Sequence, residues 1–117
     1  MKTVSIPTIE KHFEGKDKLL LTYQTLLQSL RTFGLVNEAP KQTSIHLEKN
    51  SGFAGVHPRK NHFNLEFRTD YKIENPRVIR TQQLSAKRYE HTVKLEKPTD
   101  VDAELLNWLK DAYELSK

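Results

Sequence analysis

From Arg88 to Leu95 the chain alternates strictly. Tyr89, His91, Val93 and Leu95 fall on one side, and Arg88, Glu90, Thr92 and Lys94 on the other. A period of two sustained over eight residues predicts a half-buried strand. His91 is the anomaly, an ionisable ring inside an otherwise apolar row. The same period predicts a strand over His62–Arg68, with Phe63, Leu65 and Phe67 inward and His62, Asn64, Glu66 and Arg68 outward. It recurs where Thr43, Ile45 and Leu47 alternate with Ser44, His46 and Glu48. Asn50-Ser51-Gly52 marks a turn, so Phe53–His57 is expected to return antiparallel as the second arm of a hairpin. Phe53, Ala54 and Val56 occupy both faces of that segment, which leaves its inward side open.

The helical pattern is found at the two ends. From Asp17, residues Leu19, Tyr23, Leu26, Leu27, Leu30 and Phe33 follow the i, i+3, i+4, i+7 spacing of a buried helix face. Asp17 is placed to cap it and Gly34 to stop it. Before it, Thr8 caps a short turn through Glu10, Lys11 and His12, and Phe13 is expected to plug onto the body of the fold. Near the other end Pro98-Thr99-Asp100 precedes a stripe of Val101, Leu105, Trp108, Leu109, Ala112 and Tyr113, with Thr99 as the expected N-cap. Residues 69–84 show no regular period, and Asn75-Pro76 reads as a turn.

These elements predict an α+β fold: a four-stranded antiparallel sheet with the N-terminal and C-terminal helices packed on one face, in the order α-β-β-β-β-α. Residues 1–9 are an extended arm and residues 10–117 one domain, a division that suits a chain of 117 residues. The second sheet face is left to solvent and carries the outward rows.

Composition narrows the function classes. No cysteine is present, which removes disulfides and thiolate zinc sites. No stretch has the length or apolarity of a signal peptide or membrane span, so a cytoplasmic protein without membrane contact is expected. The net charge is +4, but Lys41–Lys97 holds 12 Lys+Arg against 6 Asp+Glu while the flanks hold 7 against 9. The middle of the chain is therefore the part suited to an anionic partner.

The candidate chemistry follows from that charge. Arg59, Lys60, Arg77, Arg80, Lys87 and Arg88 come from loops expected to meet at one end of the sheet. Arginine favours bidentate recognition of phosphate or carboxylate. His91 between Tyr89 and Val93 is expected to be desolvated and neutral, either as a bonded core residue or as the rim of a pocket beside Arg59, Arg77 and Lys87. A metal site is not expected, because nothing fixes the convergence of His46, His57 and His62. A serine-nucleophile elbow is absent, and Glu66 lacks a neighbouring aspartate for metal-dependent cleavage.

An ordered set of segments carries a resemblance: H-F-E-G-K at His12, F-A-G-V-H-P-R-K at Phe53, N-P-R at Asn75, K-R-Y-E-H-T-V-K-L at Lys87 and E-L-L-N-W-L-K-D-A-Y at Glu104. Together they resemble the family known as domain of unknown function 5655, over nearly the whole chain from Ile9. The resemblance implies a small α+β domain with no established activity and a polar signature at Lys41, Thr43, Arg59, Arg77 and His91. Some relatives carry a cysteine-rich zinc-binding lead that this chain lacks, and Thr92 stands where a second histidine often follows His91.

The expected function is a non-enzymatic binding module with a cationic, His91-edged pocket for an anionic ligand, a nucleotide or nucleic acid among the candidates, and without a cofactor. The alternative is a protein-interaction or homodimerisation domain using the open sheet face. A third reading is an enzyme acting on a phosphorylated substrate.

Overall fold

The computed structural model describes residues 6–116. Residues 1–5 of the expected arm lie outside them. After a short helix α1 (Ile9–His12) comes α2 (Asp17–Leu30). Six strands follow: β1 (Asn37–Pro40), β2 (Ile45–Glu48), β3 (Gly52–Pro58), β4 (Phe63–Thr69), β5 (Val78–Ser85) and β6 (Arg88–Leu95). A 3-10 turn at Pro98–Asp100 leads into α3 (Ala103–Leu115). The strands form one antiparallel sheet in the order β1-β2-β3-β4-β6-β5. No helix among the described residues is long and apolar enough to cross a membrane.

The α+β class and the antiparallel sheet agree with the sequence pattern, but the sheet has six strands rather than four. Both additional strands are edges. β1 contains Pro40, which has no N–H to give to a ladder and is tolerated at a sheet edge. β5 is polar, and its pairing with β6 shifts between Val78 and Arg80 and again between Gln83 and Ser85. Ile79 and Leu84 are the extra residues at these bulges, and both point apolar side chains into solvent. Two bulges in eight residues erase the period of two. β5 and β6 are joined by the two residues Ala86 and Lys87, so the expected β6 strand is the second arm of a hairpin.

One face of the sheet is buried. Ile45, Leu47, Val56, Leu65, Val93 and Leu95 are all fully buried against the helices, with Phe63 and Phe67 beside them. α2 contributes Leu19, Tyr23, Leu26, Leu27 and Leu30, and α3 contributes Leu105, Leu109, Ala112 and Tyr113. Trp108 lies at the margin, half-buried and stacked on Phe67 with ring centroids 6.2 Å apart. The undecided strand β3 turns Val56 inward, and the shift in pairing beyond Leu47 gives Phe53 an inward place as well. Gly55 and His57 face the other way.

Helix ends differ from expectation in three places, the first being that α2 ends at Leu30 with Arg31 as its C-cap, short of Gly34. Asp17 is the first helical residue of α2, and Lys16 takes the cap position without a side-chain hydrogen bond. For α3 the cap is Asp102, whose carboxylate accepts from Leu105 N at 3.0 Å. Thr99 lies within the preceding turn, which is closed instead by Asp100 accepting from Glu96 N and Lys97 N. Thr8 does cap α1, and Phe13 does enter the core. Gly34 sits where Tyr113 crosses the chain: a Cβ there would meet the phenol oxygen at 2.5 Å, and that phenol donates to Leu35 O at 2.9 Å.

Leu109→Ala is expected to lower stability by about 2–5 kcal/mol, since a fully buried leucine leaves a cavity. Leu21→Ala, on the exposed side of α2, is expected to stay within about 0.5 kcal/mol of the parent. Urea unfolding of both variants checks the assignment of faces.

Candidate functional site

The open face is built by cross-strand register. His46 pairs with Gly55, Gly55 with Glu66, Glu66 with Thr92, and Thr92 with Arg80. One row thus runs from β2 to β5 across the sheet, at about 4.8 Å per strand. A second row places His57 opposite Asn64 and Asn64 opposite Lys94. Gly55 contributes no side chain, so the row is notched between His46 and Glu66. A Cβ added to Gly55 would meet only His57 Nε2, at 3.5 Å.

Two adjoining hollows occupy this face, each of ≈ 410 Å³. They share His57 and Glu66. The first lies over Gly55, bounded by His46, Phe53, Arg68 and Glu90. The second is bounded by Arg59, Asn64, Ile79, Arg80 and Thr92. His57 Nε2 stands 2.5 Å from Glu66 Oε1 at their common boundary. Arg68 Nε donates to Glu90 Oε2 at 3.3 Å, which neutralises that pair on the rim of the first hollow.

The predicted site residues are distributed as follows. Arg59 and Arg80 come together in the second hollow. Neither has a carboxylate partner among the described residues; the Arg59 guanidinium donates only to Pro58 O. Lys60 lies in a separate hollow beside the start of α2, with Lys16, Lys18 and Glu96. Arg88 borders a small hollow near the end of α3, and its guanidinium donates to Lys87 O in the hairpin turn. Lys41 and Thr43 are exposed in the β1–β2 turn, where Lys41 N donates to Ser44 O and Lys41 O bonds His12 Nε2. The loop cations therefore do not assemble into one cluster at one end of the sheet, because the hairpin β5–β6 carries Lys87 and Arg88 to the opposite end of the strands from Arg59.

Arg77 has a different surrounding. Its guanidinium donates to Asp102 Oδ1 at 2.7 Å, to Glu104 Oε1 at 3.5 Å and to Asp100 O. Asn75 reinforces the arrangement by accepting from Arg77 N and donating to Glu104. Burial alone would raise the carboxyl pKa of Asp102, but the hydrogen bonds from Arg77 and Leu105 N and the charge of Arg77 hold it below its usual value. Arg77 thus ties the β4–β5 connection to the start of α3, where carboxylates also favour the helix dipole.

His91 faces the helices, on the opposite side of the sheet from Arg59 and Arg80. It is fully buried, with Phe67 and Tyr89 rings on either side. Nε2 lies 2.9 Å from Thr69 Oγ1 and 3.3 Å from Tyr71 O, and Nδ1 lies 3.4 Å from Thr81 Oγ1. Since Thr69 Oγ1 donates to Tyr71 O at 2.6 Å, its free lone pair accepts from His91 Nε2–H. Nδ1 then accepts from Thr81. Every ring nitrogen is satisfied in the neutral form. Burial pushes the pKa of the ring below its ordinary value, partly opposed by the bond to Tyr71 O.

Gly55, His57, Asn64, Glu66 and Thr92 are the residues of the face that cation counting did not select. The outward rows of the predicted strands contain three of them, and Gly55, set between Ala54 and Val56, was the available signal for the notch. Among the described residues no group of three or more metal-ligating side chains is placed to hold an ion.

Fold and face together define a one-sided α+β domain, helices on one side of the sheet and a polar trough on the other. The chain belongs to the family described as domain of unknown function (DUF5655), whose model matches residues 9–116. No curated protein and no solved structure matches it.

The neutral His91 network has a consequence in pH. The unfolded ring takes up a proton near the ordinary value of 6.5 and the folded ring only lower, so between the two the unfolded state binds more protons. The contribution of His91 is therefore fully present above about pH 6.5 and is lost as pH falls through the lowered folded pKa. Urea unfolding at several pH values is expected to show this component in the parent and not in His91→Gln. An identical acid slope in both proteins would contradict the buried neutral assignment.

Proposed function

We propose that the protein is a non-enzymatic binding module that holds an anionic ligand in the trough on its open sheet face, with Arg59 and Arg80 as the principal cations. The observation that carries this reading is their shared hollow. Two guanidiniums without carboxylate partners among the described residues border one concavity, together with the Thr92 hydroxyl and the Asn64 amide. Asn64 Oδ1 is buried there without a hydrogen-bond partner. Buried polar atoms are nearly always bonded, so this unpaired acceptor calls for a donor, such as a hydroxyl group of the ligand.

A binding role rather than catalysis is favoured because His57 bonds Glu66 and no hydroxyl among the described residues. Homodimerisation through this face is the weaker reading. Its centre carries His57, Glu66, Arg68 and Glu90 rather than the apolar patch that such interfaces bury.

Calorimetric titration with inorganic pyrophosphate tests the proposal. Arg59→Ala and Arg80→Ala are each expected to weaken binding at least about tenfold, as loss of a charge-assisted bond does. Lys87→Ala is expected to leave it unchanged. With two cations engaged, log affinity against log salt should have a slope of roughly −1 to −2. Absence of binding, or a slope near −4 with Lys87 and Arg88 contributing equally, would overturn it.

A further inference from the structure

The two hollows of the open face are chemically unlike, and that difference bears on what kind of anion fits. The second is donor-rich: Arg59, Arg80, Asn64 and Thr92 offer guanidinium, amide and hydroxyl groups, with one carboxylate, Glu66, at the boundary with the first. In the first, Gly55 gives the floor only backbone, the His57 ring leans over it with Nε2 3.5 Å from where a Cβ would stand, and the imidazole of His46 borders it on β2. The charges at its edge, Arg68 and Glu90, are already paired. A slot with a glycine floor and two rings at its border suits a flat aromatic group, since any base presents a π-face to a ring beside it. Between the slots sits Glu66, an acceptor held by His57.

The spacing links them. Gly55, Glu66 and Thr92 occupy successive strands in one row. With strands about 4.8 Å apart, Gly55 and Thr92 are about 10 Å apart, comparable to the base-to-phosphate span of a nucleotide. Hydroxyl groups of a sugar would lie over Glu66, the only carboxylate of that row.

We propose, resting on the anion-binding reading above, that the trough recognises a nucleoside monophosphate unit, with the base over Gly55 between His46 and His57, the sugar hydroxyls donating to Glu66, and the phosphate held by Arg59 and Arg80. Arg80 lies one strand beyond Thr92, and its side chain is long enough to reach back over β6. Gly55 is then a specificity residue: its missing side chain makes the base slot.

Calorimetry with adenosine 5′-monophosphate, ribose 5-phosphate and adenosine distinguishes this inference from the reading it rests on. The nucleotide is expected to bind at least about fivefold tighter than ribose 5-phosphate, the lower range for one base stacked on a ring. Gly55→Leu should remove that advantage while ribose 5-phosphate binds as before, and Arg80→Ala should weaken both. Should Gly55→Leu fail to fold, His46→Ala, at an exposed position, is expected to reduce the advantage in the same direction. Equal affinity for nucleotide and ribose 5-phosphate, insensitive to both variants, would overturn the nucleotide assignment and leave the anion site standing. Failure of both phosphates to bind would overturn the two together. Tetra-adenylate binding more than about tenfold tighter than the mononucleotide would place the unit within a single strand, and equal binding would place it as a free nucleotide; the unit recognised is the same in either case.

Discussion

The antiparallel pairing of β4 with β6 is the constraint on which the rest of the structure depends. Seven residue pairs, from Phe63 opposite Leu95 to Thr69 opposite Tyr89, bring two clean alternations into phase. With Leu65 opposite Val93 and Phe67 opposite His91, every inward side chain of one strand meets an inward side chain of the other. A shift of one residue would turn Phe63, Leu65 and Phe67 into solvent against the outward row of the partner, so burial fixes the register strongly. The helices then have one face to cover. The other face receives Asn64, Glu66, Thr92 and Lys94 by the same alternation, and the trough is its consequence.

His91 shows how that constraint accommodates a polar residue. An unpaired imidazole in this position would leave buried nitrogens unsatisfied, a cost of about 1–3 kcal/mol each. Thr69 and Thr81, on the strands to either side, and the carbonyl of Tyr71 supply the partners. The partners come from three segments, so the ring fixes β4, β5 and the β4–β5 connection relative to one another. Arg77 holds the far end of that connection on α3, and Tyr71 adds a bond to Asp111 at 2.5 Å, with burial and that carboxylate pushing its phenol pKa up. A polar network on the covered face and a polar trough on the open one thus have separate work, although both are spelled by the same strand.

The parts legible in the sequence were those with an unbroken period. β4, β6, α2 and the buried stripe of α3 follow directly from residues such as Phe63-Leu65-Phe67 and Leu26-Leu30. β1 was hidden by its proline and its four-residue length, and β5 by bulges at Ile79 and Leu84 that break the alternation twice. The candidate site was legible only in pieces. Arg59 and Arg80 are evident as cations, yet nothing local to either says that they meet across β4 and β6. Arg77 looks the same in the sequence, but its neighbours in space are the carboxylates of a helix start some 25 residues away. Gly55 appeared as a gap in a strand; only the register between His46 and Glu66 turns that gap into a slot.

On the proposed reading, ligand recognition belongs to the open face and leaves the helix-covered face closed. Mapping backbone amide shifts by ¹H–¹⁵N correlation spectroscopy during titration with adenosine 5′-monophosphate tests it most directly. A connected set of shifts is expected along Gly55, Glu66, Thr92 and Arg80, with His57 and Arg59 beside them and little change in α2 or α3. Shifts concentrated at Lys16 and Lys60, at the Ala86–Lys87 turn, or around Thr69 and His91 would contradict it.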